Sequence, residues 1–356
     1  MLAAPDPVSV DAALVARYFD QLQQAFDLAC RRTGRRIERS YSLADNTIRL
    51  GFASESLADI LTPALDHLPA AAAAPGLEVS CWEGDATGIP LPPLPWPPSS
   101  PLPPGARYRP TSNPDFQILT TPEGDAVMIQ RTNPEQAFFW VRRATDLPRY
   151  HYGSPLLAIF AAWTHRRRLI LAHAACVGTD RAAGLLVGKG GSGKSTTSLL
   201  CARAGLRYLS DDYCVIQPGA PPTVCSLYNT GKLVRDKLPE FPDLAGFAHA
   251  PGTDAYDKPV IAMHRVPGVV VETRLPLRAI LVPVITGRPA TLLERTSDAK
   301  ALRALAPSTI FQLHNTDPVF FRAMAEIVRR TPCFRLELGT DYSSIPRVIR
   351  ALLESL

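Results

Sequence analysis

Residues 183–203 read AGLLVGKGGSGKSTTSLLCAR, an apolar run, then a glycine-rich loop, then a helix-forming segment. Gly188 and Gly193 are separated by four residues and are followed by Lys194 and Ser195. Glycines let the backbone curl so that consecutive N–H groups point at one anion, and the following helix adds the positive end of its dipole. A lysine here meets the β- and γ-phosphates, and the next hydroxyl can ligate Mg²⁺. The stretch predicts a strand–loop–helix unit that binds a nucleoside triphosphate.

The expected cofactors are therefore ATP and Mg²⁺. A Gly/Ser-rich turn between a strand and a helix also occurs without any function, and it is the order of strand, loop and helix that favours phosphate binding here. The residues expected to bind the nucleotide are Gly188, Gly190, Gly191, Ser192, Gly193, Lys194, Ser195 and Thr196.

Two adjacent carboxylates follow the next apolar run. Residues 206–209 predict a strand, which is followed by Ser210, Asp211 and Asp212. The end of a strand one crossover after the loop is where a nucleotide–Mg²⁺ site needs oxygen ligands. One carboxylate can hold the metal while the other accepts a proton from an attacking hydroxyl. Paired aspartates also form turns and helix caps, but their place after this loop favours a catalytic role.

A histidine, His173, lies in the apolar run 169–177, which predicts the strand before the loop strand. A single histidine in such a run is often a satisfied core residue. Its spacing relative to the loop, however, matches a known family.

The segment from His173 to Asp212 resembles the catalytic core of HPr kinase/phosphorylase, a bacterial serine kinase with a phosphoenolpyruvate-carboxykinase-like fold. As in that family, His173 precedes Gly188 by fifteen residues, and Asp211 and Asp212 follow Lys194 by seventeen and eighteen. The resemblance implies an α/β P-loop kinase core with a mixed sheet.

Roles for the site residues also come from this resemblance. It implies that Asp211 is the general base, assisted by His173, and that Lys194 contributes to catalysis. It implies that Asp212 and Ser195 are the magnesium ligands. The chain departs from the family in having Thr196 where a glutamate is usual. It also has no clear counterpart of the downstream Glu-x-Arg-Gly-x-Gly signature, so the reverse, phosphorylase activity is not expected.

The whole chain looks more like the HPr-kinase-like enzymes encoded with lasso peptide biosynthesis genes. The similarity lies in the N-terminal α/β unit, the proline segment that begins at Gly88, and the loop with its Ser210–Tyr213 partner segment. It implies ATP- and Mg²⁺-dependent phosphorylation of a serine hydroxyl of a peptide or protein, the C-terminal serine of a lasso peptide precursor. Two alternatives stay open: a small-molecule kinase or carboxykinase-like enzyme, and an accessory module that hydrolyses nucleotide to regulate a partner.

Proline marks the organisation of the 356-residue chain, because 11 of its 35 prolines lie between Pro90 and Pro114. Such a run favours extended polyproline II structure, either as a semi-rigid strap with Trp96 packed on the body or as an SH3-type ligand. We expect a small N-terminal α/β domain over residues 1–84, a proline-rich strap over 85–114 and the kinase-like domain over 115–356.

The amino-acid composition limits the kinds of ligand and partner that we expect. The formal net charge is +5 with no block of five or more like charges, which suits an anionic ligand and does not favour nucleic acid. No apolar run approaches the roughly 20 residues that span a bilayer, and no signal peptide pattern is found, so we expect a cytoplasmic protein without membrane contact. The 7 cysteines form no Cys-x-x-Cys pair and are expected to be buried thiols, with zinc or disulfides as the alternative.

The acceptor is expected to meet a proline-interrupted insert over residues 218–266, because long irregular inserts beside a core often form lids. Of the basic residues in it, Lys258 and Arg265 are the substrate-binding candidates. The insert also carries Lys232, Arg235, Lys237 and His264.

Overall fold

The computed structural model describes residues 12–95, 109–113, 116–121, 124–249, 258–312 and 318–356. These residues form a mixed α/β protein that divides into two compact units. Unit 1 is drawn from residues up to Thr62, from Ala70–His151 and from Leu156–Ile159, and unit 2 from Pro63–Pro69, Tyr152–Pro155 and Phe160–Leu356.

Unit 1 is built on one seven-stranded sheet. Its strands are β1 (Ile37–Leu43), β2 (Asn46–Phe52), β3 (Leu77–Glu83), β4 (Arg109–Asn113), β5 (Phe116–Thr120), β6 (Ala126–Arg131) and β7 (Gln136–Val141). Its helices are α1 (Ala12–Thr33), α2 (Glu55–Leu61) and α3 (Gly84–Thr87). Two further helices, α4 (Tyr150–Gly153) and α5 (Leu157–Arg166), begin in unit 1 and end in unit 2. The strand order is β1-β2-β3-β7-β6-β5-β4, and β3 is parallel to both of its neighbours.

The core of unit 1 lies between α1 and the sheet. Apolar side chains recur along α1 at helical spacing, and Phe19 and Phe26 are among those fully buried. They pack against Trp82 of β3 and Phe138 of β7, whose rings meet edge to face at 6.3 Å. The apolar face of the 22-residue α1 is thus covered by the sheet.

The units divide the chain differently from the expected boundaries. Strands β5–β7, which we expected to belong with the glycine-rich loop, extend the sheet of unit 1 instead, because β7 pairs with β3. The expected strap also contains regular structure, since α3 begins at Gly84 and β4 ends at Asn113. Its described start lies against unit 1, where the Tyr18 hydroxyl donates to the Pro92 carbonyl at 3.0 Å. Trp96 lies outside the described residues.

Unit 2 carries the glycine-rich loop. Its strands are β8 (Ile170–Ala172), β9 (Ala175–Gly178), β10 (Ala183–Leu186), β11 (Arg207–Ser210), β12 (Cys214–Gln217), β13 (Thr223–Ser226), β14 (Thr230–Lys232), β15 (Ala248–His249), β16 (Val260–Ala262), β17 (Arg274–Ile285), β18 (Leu292–Arg295) and β19 (Cys333–Leu338). Its helices are α6 (Lys194–Arg203), α7 (Pro242–Ala245), α8 (Asp298–Gln312), α9 (Pro318–Arg330) and α10 (Ser344–Glu354), with short 3₁₀ turns at Arg235–Glu240 and Met263–Arg265.

A mixed nine-stranded sheet organises unit 2. The strands β10, β17 and β19 are parallel neighbours, whereas β9 runs antiparallel to β10 and β11. The twelve-residue β17 pairs with β13 through its first residues and with β10 and β19 further along. A separate three-stranded sheet, β14-β16-β15, contains residues of the proline-interrupted insert. The expected mixed α/β architecture is therefore present, with more regular structure in the insert than its prolines indicate.

The apolar run 169–177 forms two strands where we expected one. β8 pairs with β12, whereas β9 pairs with β10 and β11. The chain changes neighbours at His173 and Ala174, and this break places the His173 side chain at the site described below.

All seven cysteines are buried and none is in a disulfide. Within the described residues, no group of three or more His, Cys, Asp or Glu side chains could hold a metal ion, and no helix is long and apolar enough to cross a membrane.

Candidate active site

The glycine-rich loop connects β10 to α6, as the sequence predicts. Gly193 caps α6 with φ of 99°, in the left-handed region that favours glycine. A Cβ atom at Gly193 would lie 2.4 Å from Leu338 Cδ1, so only glycine fits there without moving a neighbour. Gly191 also has a positive φ, of 78°. The local backbone thus depends on glycine at these two positions.

Lys194 folds back over the loop. It is 7% exposed, and its ammonium donates to the Gly188 carbonyl at 2.6 Å and lies 3.3 Å from the Lys189 carbonyl. Burial lowers the pKa of Lys194, although the charges of Asp212 and Asp211 act in the opposite direction. The ammonium therefore lies between the loop and the acidic pair.

Several polar groups of the loop and helix start remain for a ligand. The first N–H groups of the ten-residue α6 have no partner within the helix. Among the described residues, the buried hydroxyls of Ser192 and Thr197 find no hydrogen-bond partner. Buried polar groups are normally satisfied, so donors left over at a helix N-terminus fit an anion such as a triphosphate.

Asp211 is buried directly behind the loop helix. It is 2% exposed, and its Oδ2 accepts the backbone N–H of Lys232 at 2.7 Å. Its other oxygen accepts from the Ser198 hydroxyl at 3.4 Å, and the nearby Ser195 hydroxyl acts to lower the pKa of this carboxylate. Burial and the neighbouring charge of Asp212 raise the pKa of Asp211 despite these hydrogen bonds. Ser195 and Asp211 together offer a hydroxyl and a carboxylate oxygen to a cation.

Asp212 lies between two cationic or basic side chains. Its Oδ1 is 2.7 Å from His173 Nε2, and its Oδ2 accepts from the Lys232 ammonium at 2.6 Å. Burial would raise the pKa of Asp212, but the Lys232 charge and the His173 hydrogen bond together hold it well below its ordinary value. Asp212 is therefore ionised throughout the physiological range.

His173 pairs with Asp212 and not with Asp211, which corrects the arrangement implied by the resemblance. Asp211 accepts from Ser198 of α6, whereas Asp212 meets His173 at the break between β8 and β9. The break is fixed by the His173 N–H, which donates to the Thr309 hydroxyl of α8 at 3.1 Å, and the His173 ring stacks at 5.0 Å on Tyr213.

The two candidate substrate residues lie in different surroundings. Lys258 is exposed, and after the larger effect of burial its charge also lowers the pKa of Lys194. Arg265 is exposed next to His264 and, within the described part of the chain, makes no hydrogen bond or ion pair with the loop or the acidic pair. The structure thus brings only Lys258 to the site.

Sequence reasoning did not single out two groups of this site. Lys232 was one of several basic residues in the insert, and no spacing distinguished it from the others. Ser154, whose hydroxyl lies 3.1 Å from the Lys232 ammonium, comes from a distant part of the chain with no motif around it. Both contacts depend on long-range packing.

No protein-family model matches the chain, and no curated protein matches it. Among solved structures, the HPr(Ser) kinase/phosphatase from Coxiella burnetii is similar over 52% of this chain and 94% of that chain, at 13% sequence identity and a TM-score of 0.27. A TM-score this low does not establish a shared fold.

Proposed function

We propose that this protein is a kinase that transfers the γ-phosphoryl group of Mg²⁺-bound ATP to a serine hydroxyl of a peptide or protein. The observation that carries the proposal is the convergence of a glycine loop, a helix N-terminus, Lys194 and two ionisable carboxylates in one place. Phosphoryl transfer is catalysed chiefly by positioning and charge stabilisation, and these groups supply both.

Ser195 and Asp211 would hold Mg²⁺, which would neutralise phosphate charge. This assignment exchanges the roles of the two aspartates. Its support is that Asp211 accepts from Ser198 of α6 and has its pKa lowered by Ser195, whereas His173 contacts Asp212. Asp212 would accept the hydrogen bond of the attacking hydroxyl, with His173 fixing the direction of its carboxylate. A carboxylate of low pKa can serve here, because orientation of the hydroxyl contributes more than early proton removal when the transition state is loose.

Lys194→Ala tests the loop as the active site. Its ammonium is expected to bind phosphate oxygens and need not support the core, so phosphoryl transfer should fall by at least ~10²–10³-fold with the fold intact. The measurement is transfer of labelled phosphate from ATP, with circular dichroism as the check on folding. The matched control is Lys237→Met, a surface lysine paired with Glu240. Unchanged transfer in Lys194→Ala would contradict the assignment.

The proposed acceptor is the C-terminal serine of a lasso peptide precursor. Its support is the overall sequence likeness to the lasso peptide kinases. Lys258, which is exposed and whose charge acts on Lys194, would hold the terminal carboxylate. Amidation of that carboxylate removes a charge-assisted hydrogen bond worth about 1.5–3 kcal/mol, so kcat/KM should fall roughly ten- to a hundredfold. Parallel assays of peptides with a free and with an amidated C-terminus test this expectation. Phosphate found on internal serines or on free serine would favour another acceptor.

A further inference from the structure

Lys232 contacts both members of the acidic pair through two different groups. Its backbone N–H donates to Asp211 Oδ2 at 2.7 Å, and its ammonium donates to Asp212 Oδ2 at 2.6 Å. The residue ends strand β14, whose pairing with β16 sets Lys232 opposite Val260. One residue on a short paired strand therefore holds two adjacent carboxylates in fixed positions.

The two carboxylates are held unequally. Asp212 receives the Lys232 ammonium and the His173 ring, whereas Asp211 accepts from a backbone N–H and the Ser198 hydroxyl. Like charges so close together disfavour each other's ionisation unless one is neutralised. Lys232 neutralises Asp212 and leaves Asp211 as the carboxylate able to take a further cation.

The Lys232 side chain occupies space that is left by the absence of a side chain at Gly153. A Cβ atom at Gly153 would lie 2.6 Å from Lys232 Cε, so any other residue there would displace the side chain. Beyond Gly153, the Ser154 hydroxyl lies 3.1 Å from the ammonium and is 2% exposed. The Thr230 hydroxyl donates to the Gly153 carbonyl at 2.6 Å and ties the same backbone to β14. The ammonium is thus guided to Asp212 by surrounding structure on two sides.

We propose that Lys232 is a positioning residue that keeps the two aspartates in separate roles, by holding Asp212 in place with its ammonium while orienting Asp211 with its backbone N–H. This inference rests on the proposed kinase function and deepens it. It assigns to one residue the division of work between two neighbouring carboxylates. Lys232 acts through those carboxylates and need not touch the nucleotide.

Lys232→Met is the first test, because methionine keeps the backbone N–H and most of the side-chain volume but removes the charge. Asp211 keeps its orienting bond, so KM for Mg²⁺·ATP should stay within about threefold. Asp212 loses its anchor, and a misplacement of about 1 Å at a reacting group costs on the order of 10²-fold in kcat. The assay measures ADP formed from Mg²⁺·ATP with the serine-ended peptide as acceptor. Lys237→Met, at a half-exposed lysine of the same insert, should match the wild type.

Lys232→Ala with added ethylamine is the second test, and it separates positioning from a loss of folding. Alanine leaves a space beside Gly153 that a small alkylammonium can enter. Ethylamine should therefore raise the kcat of Lys232→Ala at least about tenfold. It should not raise the kcat of Lys232→Met, because methionine fills the space. A kcat within twofold of wild type in Lys232→Met, or no rescue of Lys232→Ala, would overturn the positioning role alone. Absence of ATP turnover in the wild-type protein would overturn the kinase function together with it.

Discussion

Asp211 and Asp212 are adjacent in sequence but lie in opposite electrostatic environments. Asp211 is buried against α6 with a raised pKa, and Asp212 is held ionised by Lys232 and His173. Environments that separate the pKa values of neighbouring carboxyl groups also separate the work that the groups can do. At this scale the side-chain partners, more than the residue type, define the site.

Asparagine substitutions should separate the two aspartates. Asp211→Asn should weaken Mg²⁺·ATP binding, because it removes a carboxylate oxygen beside Ser195. Asp212→Asn should leave nucleotide binding near normal and lower kcat by roughly 10²–10⁴-fold, the usual contribution of a positioned base. Titration calorimetry and steady-state kinetics measure the two effects. Asp243→Asn, at a surface ion pair with Arg203, is the control. The opposite pattern would restore the roles that the family resemblance implies.

The residues of the loop and the acidic pair could be predicted from sequence because their spacing is short and fixed by one strand–loop–helix crossover. The contact of His173 with Asp212 could not, since residue spacing gives no information on which of two adjacent side chains faces a given strand. Lys232 could not be identified either, because its position depends on the pairing of β14 with β16 and on the space above Gly153.

At the scale of elements, the join between β10 and α6 is the most constrained part of unit 2. Gly193 combines a left-handed backbone with a close approach to Leu338, at the end of the parallel strand β19. The helix start is therefore fixed against the carboxyl ends of the parallel strands, the edge at which α/β sheets bind ligands.

Gly193→Ala should destabilise the protein and reduce nucleotide binding. A left-handed backbone costs a residue with a Cβ about 1–2 kcal/mol, and the contact with Leu338 adds overpacking of about 1–3 kcal/mol. Chemical denaturation and calorimetry with Mg²⁺·ATP measure the two losses. Gly246→Ala is the matched control, because a Cβ there meets nothing within 4 Å and its φ is negative. A Gly193→Ala protein of normal stability would show that the loop backbone can relax.

Elements were predictable from sequence where one segment carries its own periodicity, as in α1, β5–β7 and α10. The division of the run 169–177 into β8 and β9 was not, because no glycine or proline marks the break and it exists only through pairing with different strands. Helix α2 ends at Leu61, and residues 63–69 group with unit 2.

At the scale of the whole molecule, the chain forms two units whose sheets have separate cores. The boundary between them could not be placed from composition, because the parallel pairing of β3 with β7 joins segments on both sides of the proline-rich stretch. Every residue of the proposed nucleotide site belongs to unit 2.

Binding of Mg²⁺·ATP should therefore stabilise unit 2 selectively. A ligand at a hundred times its Kd stabilises the state that binds it by about 2.7 kcal/mol. Hydrogen exchange should slow in the loop, in α6 and at the end of β11, while amides of β1–β3 in unit 1 exchange at unchanged rates. ATP with EDTA and the Lys194→Ala protein serve as controls. Protection confined to unit 1 would place the nucleotide elsewhere.

The burial of all seven cysteines has a practical consequence. Thiol reagents attack the thiolate, and burial raises the pKa of Cys176, Cys201 and Cys214 above the range in which thiolate forms at neutral pH. We therefore expect the native thiols to react slowly with maleimides and similar labels. A single cysteine introduced at an exposed position can carry a fluorophore or spin label without removal of any native residue. One label on each unit would allow the distance between the two labelled positions to be measured.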